Sequence, residues 1–119
     1  MQIDEILSGP GQVRLVSSGE IEGLKLGIQK YWRQDRVTNL PNYEEVVITI
    51  AISLDQSGNI VSGPTLKSPA SLPDNRFKVA YDVAAIAVRR AAPFDLPAEK
   101  YGRWKNIEIT FNPQKGVFF

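Results

Sequence analysis

The chain has 119 residues, 43% of them hydrophobic, and 14 lysines and arginines against 13 aspartates and glutamates leave a formal net charge of +1. That length allows one domain with one modest core, and charges so nearly balanced and so mixed give no field that favours nucleic acid or an anionic membrane surface. Cysteine and histidine are both absent, which excludes disulfides, thiol nucleophiles, the usual zinc and copper ligands and the commonest general base. No run approaches the roughly 18 apolar residues of a membrane helix, and the N-terminus lacks the charged-then-apolar pattern of a secretory signal.

Residues 1–16 carry Gly9-Pro10-Gly11 and no sustained period, so they read as a linker or N-terminal extension, with the domain over 17–119. Ser17 followed by Glu20 fits a capping box. Behind it, Ile21, Leu24, Ile28 and Tyr31 recur at helical steps with Trp32 flanking the stripe, which predicts a helix ending near Arg33. Gly23 and Gly27 each cost such a helix about 1 kcal/mol relative to alanine. Their expected compensation is close packing of the helix backbone on a sheet, since the Gly-x-x-x-Gly spacing belongs to membrane helices.

From Val46 to Leu54 the chain alternates, with Val46, Ile48, Ile50, Ile52 and Leu54 on one face, and predicts a half-buried strand. Asp55-Gln56-Ser57-Gly58 supplies a turn, and Asn59 to Lys67 returns as a second strand. Pro64 has no N–H for a ladder, so this strand belongs at a sheet edge or carries a bulge there. After the loop Ser68 to Pro73, Asp74 is expected to cap a helix whose inward stripe is Phe77, Ala80, Tyr81, Ala84, Ala87, Val88 and Ala91. Arg89-Arg90 suits the negative end of that helix, and Pro93 ends it. A short helical turn over Pro97 to Arg103 precedes a third strand, in which Ile107, Ile109 and Phe111 alternate with Asn106, Glu108 and Thr110. The expected fold is α+β: a three-stranded antiparallel sheet in order 2-1-3, with two helices on one face.

In that order the third strand is an edge. From Asn106 through Ile107, Glu108, Ile109 and Thr110 to Phe111 it holds no proline or lysine to blunt it, so it can accept an extended peptide by strand addition. The alternative is that the tail, Gln114 to Phe119, folds back and covers it; the sequence leaves both open.

Chemistry is poorly represented. Asp74, Asp82, Asp95 and Glu99 fall on different elements and read best as caps and solvated faces, although two of them meeting would make a carboxylate pair. The serines lack a histidine or a Ser-x-x-Lys partner, no loop has the spacing of a phosphate cradle, and no dense acidic loop offers an oxygen-ligated metal site. No cofactor is expected. Tyr101 and Trp104 beside Arg103 and Lys105 resemble single-strand nucleic-acid interleaving only faintly, and at spacing three they read as pins for the last loop.

The ordered set Ile28-Gln29-Lys30-Tyr31-Trp32, the strand from Val46, Gly58, the helix with Arg89-Arg90, Pro93-Phe94-Asp95-Leu96-Pro97-Ala98-Glu99-Lys100-Tyr101, Trp104 and Phe111-Asn112-Pro113 resembles the TolA C-terminal domain family in its alphaproteobacterial form. The resemblance covers about Ser18 to Phe119. It implies a monomeric, non-catalytic periplasmic domain, carried by an inner-membrane anchor upstream, that binds TolB and Pal and supports envelope integrity and constriction at division. Relatives are captured by colicins and phage coat proteins through sheet edges and the neighbouring helix face. The related TonB C-terminal domain, which engages outer-membrane transporters, is the runner-up; a small enzyme or ligand carrier built on loop carboxylates and Tyr101 is the remaining class. Family members commonly carry a cysteine before the tryptophan of the first helix and another late in the second, where this chain has Tyr31 and Ala91. Packing of Tyr31 on Ala91 is the expected substitute, with Trp32 and Trp104 as further structural residues; Tyr31→Ala is then expected to cost about 3 kcal/mol, as for other large buried aromatics.

Overall fold

The computed structural model describes residues 18–119. The extension expected over residues 1–16 and the Ser17 side of the capping box lie outside the described residues. In chain order the elements are α1 (Ser18–Gln29), α2 (Gln34–Thr38), β1 (Ile48–Leu54), β2 (Ile60–Ser68), α3 (Asn75–Ala91), α4 (Tyr101–Trp104), β3 (Asn106–Asn112) and β4 (Gly116–Phe118), with single 3-10 turns at Tyr43–Glu45 and Ala98–Lys100. The sheet is antiparallel and runs β2-β1-β3-β4. The α+β class and the central place of β1 follow the alternating patterns, but there are four strands and not three.

The core is the inward face of the sheet under the helices. Ile48, Ile50, Ile52 and Leu54 of β1 and Ile107, Ile109 and Phe111 of β3 are buried, facing Phe77, Ala80, Ala84, Ala87 and Val88 of α3. Alanine at the contact positions lets the α3 axis approach the sheet closely, because interaxial distance follows side-chain size. Asp74 caps α3 by accepting the Arg76 N–H at 2.8 Å. Arg76 also reaches the carbonyl oxygens of Pro41 and Asn42, at 2.9 and 3.2 Å, and the Glu45 carboxylate, so one guanidinium ties the loop before β1 to the start of α3. That same guanidinium holds the Asp74 carboxyl below the usual aspartate value.

The first helix stops at Gln29 and not near Arg33. Val37 lies nine residues past Ile28, about two and a half turns, so an unbroken helix would point the two in opposite directions. Both are buried. The break at Lys30 to Arg33 lets Ile28, Trp32 and Val37 all turn inward, and Trp32 meets Phe111 edge-on with centroids 5.4 Å apart. The Trp32 indole N–H finds no acceptor among the described residues.

The expected edge or bulge at Pro64 is both. β2 is the outer strand, and between the pairs Ala51↔Thr65 and Ser53↔Ser62 it holds Gly63 and Pro64 against the single residue Ile52. Gly63 sits at φ +89°, where a Cβ would lie 2.4 Å from the Ala51 carbonyl oxygen. In the β1–β2 turn Asp55 accepts the N–H groups of Ser57 and Asn59 at 2.9 and 3.0 Å, which lowers its pKa; the Asn59 N–H contributes most. Gly58, at φ +84°, accepts the Phe94 N–H, and a Cβ there would come within 1.9 Å of the Phe94 carbonyl oxygen. The turn glycine is therefore the seat on which the segment after α3 docks.

Gly23 and Gly27 have no such role. A Cβ at either meets nothing within 4 Å, so the helix backbone is not pressed on the sheet there. Alanine at each position should stabilise the fold by about 0.5–1 kcal/mol, whereas Gly58→Ala, strained in φ and blocked by backbone, should cost about 1–3 kcal/mol; denaturant melts of the three variants read all three values.

Candidate partner-binding edge of the sheet

The tail does fold back. Asn112 accepts the N–H groups of Gln114 and Lys115 at 2.9 and 3.0 Å on its side-chain oxygen, the Lys115 N–H also meets the Asn112 carbonyl, and Gly116 follows at φ +109°. A turn closed by an Asx contact and followed by a left-handed glycine is a hairpin connection. It returns the chain as β4, with Thr110↔Phe118, Phe111↔Val117 and Asn112↔Gly116 as pairs. Val117 is fully buried, which gives this short strand its apolar anchor. The Gln34 side-chain amide donates to the Pro113 carbonyl and ties the turn to α2.

β3 is thus not an edge along its whole length, which corrects the expectation for the stretch Asn106 to Phe111. Thr110 and Phe111 lie beside β4, while Asn106, Ile107, Glu108 and Ile109 extend beyond its paired residues. On the opposite side β3 pairs with β1 throughout, from Ile48↔Phe111 to Ser53↔Asn106. Ile107, Ile109 and Phe111 point into the core, and Asn106, Glu108 and Thr110 stand on the open face of the sheet. The Asn106 side-chain oxygen accepts the Ser53 hydroxyl at 2.7 Å, and the hydroxyls of Thr110 and Thr49 are 2.7 Å apart. Beyond β4, Lys25 of α1 places its ammonium 5.3 Å from the ring centroid of the part-exposed Phe118, and the neighbouring Leu26 is 57% exposed.

Trp104 is buried, donates its indole N–H to the Pro97 carbonyl at 2.8 Å and packs edge-on against Tyr101, whose hydroxyl donates to the Leu54 carbonyl at 2.6 Å. The pair closes the loop after α3 onto β1 and positions the start of β3, with no ring presented as a stacking platform. Of the acidic residues, Asp74 caps α3, Asp82 pairs with Lys78 at 2.8 Å, and Asp95 lines a shallow groove of about 310 Å³ with Glu20, Gly23, Leu24, Gly27, Ala91, Pro93 and Phe94. Glu20 meets Lys100 at 3.7 Å. Among the described residues no three aspartate or glutamate side chains gather where they could hold a metal ion, and no helix is long and apolar enough to cross a membrane.

The alternative that the tail covers the third strand is the one observed over Thr110 to Asn112, but the three-stranded order does not count that tail as a strand. Its signal was present as Asn112-Pro113-Gln114-Lys115-Gly116, an Asx residue, a proline and a glycine at turn spacing ahead of Val117. Compared with protein-family models, curated proteins and solved structures, the chain has no match.

Tyr31 and Ala91 both lie at the margin of the core. Tyr31 is half-buried, with the Lys30 ammonium 5.5 Å and the Arg90 guanidinium 5.7 Å from its ring centroid. A ring placed so loses less on truncation than a fully buried one, and Tyr31→Ala should cost about 1–2 kcal/mol in a chemical melt.

Proposed function

We propose that this chain is a non-catalytic protein-interaction domain of the TolA C-terminal class, which acts in the periplasm within the Tol-Pal system and takes up an extended segment of TolB or Pal at the edge of its sheet. The observation that carries the reading is the half-covered third strand. Strand edges are ordinarily closed, charged or bent away because they pair with whatever extended chain they meet. Here β4 closes Thr110 to Asn112, and Asn106 to Ile109 continue past it with one charged side chain. The second support is the ordered set of motifs from Ile28 to Pro113 that resembles the TolA family, including the Leu96 to Tyr101 phrase that contains the 3-10 turn Ala98–Lys100 and the first residue of α4. The scarcity of chemically activated side chains fits a domain that holds partners.

Capture by main-chain hydrogen bonds needs an extended partner and no deep cavity, which suits an edge on a rigid, well-packed sheet. An amide NMR titration with the N-terminal periplasmic segment of TolB from the same organism tests the proposal. The expected result is shifts concentrated at Asn106 to Ile109, with slowed exchange of the Asn106 and Glu108 amides. An unchanged spectrum at millimolar peptide would overturn it.

A further inference from the structure

We infer that the half of β3 that no other described strand covers selects its partner by charge: the strand it takes runs antiparallel to β3, in line with β4, and sets a lysine or arginine opposite Glu108. This rests on the edge-capture reading and adds to it the register and the chemistry of the partner.

The register comes from the hydrogen bonding. The Leu54 N–H donates to the Lys105 carbonyl at 2.7 Å, and Ile52↔Ile107 and Ile50↔Ile109 follow in the same ladder. Antiparallel strands alternate between pairs that exchange both bonds and pairs that exchange none. With Lys105, Ile107 and Ile109 bonded to β1, the N–H and C=O of Asn106 and Glu108 point away from it. The next outward residue, Thr110, is opposite Phe118, and pairing with β4 begins there. Asn106 and Glu108 therefore offer two donors and two acceptors along the line that β4 already occupies further on. Antiparallel pairing is also slightly the more stable of the two directions.

The charge preference comes from the side chains beside those groups. On the open face of β3, Asn106 is taken by Ser53, Thr110 by Thr49, and Asn112 by its own turn. Glu108 is exposed, stands across from Ala51, and has no ion pair or hydrogen bond on its carboxylate among the described residues. It is the one open-face side chain of β3 left for an incoming strand to meet. Opposite charges directly across two strands attract and like charges repel, so the residue that deters acidic or unspecific strands from this edge also admits a basic one.

The test uses two blocked peptides of alternating threonine and valine, one with a central lysine and one with a central glutamate, titrated into the protein by NMR. The lysine peptide should bind about threefold more tightly, the scale of a single exposed cross-strand ion pair, and raised salt should shrink the difference. Glu108→Gln, an isosteric change at an exposed position, should bring the two peptides within about twofold, and Glu108→Lys should reverse their order. Equal affinities with shifts at Asn106 to Ile109 would leave edge capture standing and overturn charge selection. No binding of either peptide would overturn edge capture and this inference together.

Discussion

The pairing of β1 with β3 is the constraint on which the rest of this domain depends. Its register, Ile48↔Phe111 through Ser53↔Asn106, puts two rows of large aliphatic and aromatic side chains on one face and the smaller or polar Thr49, Ala51, Ser53, Asn106, Glu108 and Thr110 on the other. A slip of one residue would turn every one of them over. The helices are placed by that face: α3 lies on it through alanines, and Trp32 reaches it through Phe111. The loop after α3 is then fixed at both ends, by Phe94 on Gly58 and by Tyr101 on Leu54. Because these two residues lie at the hairpin end of β1, the loop, the turn and the start of β3 are tied together at one corner. The part of β3 that extends past β4 begins at that corner.

Both hairpins use the same local device. In each, an Asx side chain accepts two backbone N–H groups of the turn, and a glycine with positive φ follows, Asp55 with Gly58 in one and Asn112 with Gly116 in the other. The first was legible because it follows the clearly alternating β1 and precedes a stretch long enough to return as a strand. The second was not, because the strand after it is only Gly116–Phe118, too short to show a period. The course of the chain from Lys30 to Glu45 was hidden for a related reason: α2 has five residues, and only the burial of Val37 opposite the Ile28 face reveals that a break is needed. What the sequence made plain were the long elements, β1, the cap and length of α3, and the bulge at Pro64. The glycines of α1 misled, since a helix can carry exposed glycine at a modest stability cost without any close contact to explain it.

The edge that remains is short, and that shapes what it can do. β4 is anchored by the buried Val117 and braced by α1 through the Lys25 contact to Phe118, so it is part of the fold. It limits strand addition to the few outward groups between the corner at Trp104 and the pair Thr110↔Phe118. Few backbone bonds give little affinity by themselves, since each is largely exchanged against water. A partner captured there needs side-chain help, and Glu108 on the open face is the group placed to give it.

Amide hydrogen exchange along β3, read residue by residue in the free protein, separates a half-covered strand from one that is wholly open or wholly paired. The half-covered strand predicts slow exchange at Ile107, Ile109 and Phe111, whose N–H groups face β1, and at Thr110 and Asn112, whose groups face β4. Asn106 and Glu108 should exchange fast. Rapid exchange at Thr110 and Asn112 would mean that the tail does not pair with β3, and protection at Glu108 would mean that its edge is already closed; either result would rule out a half-covered β3.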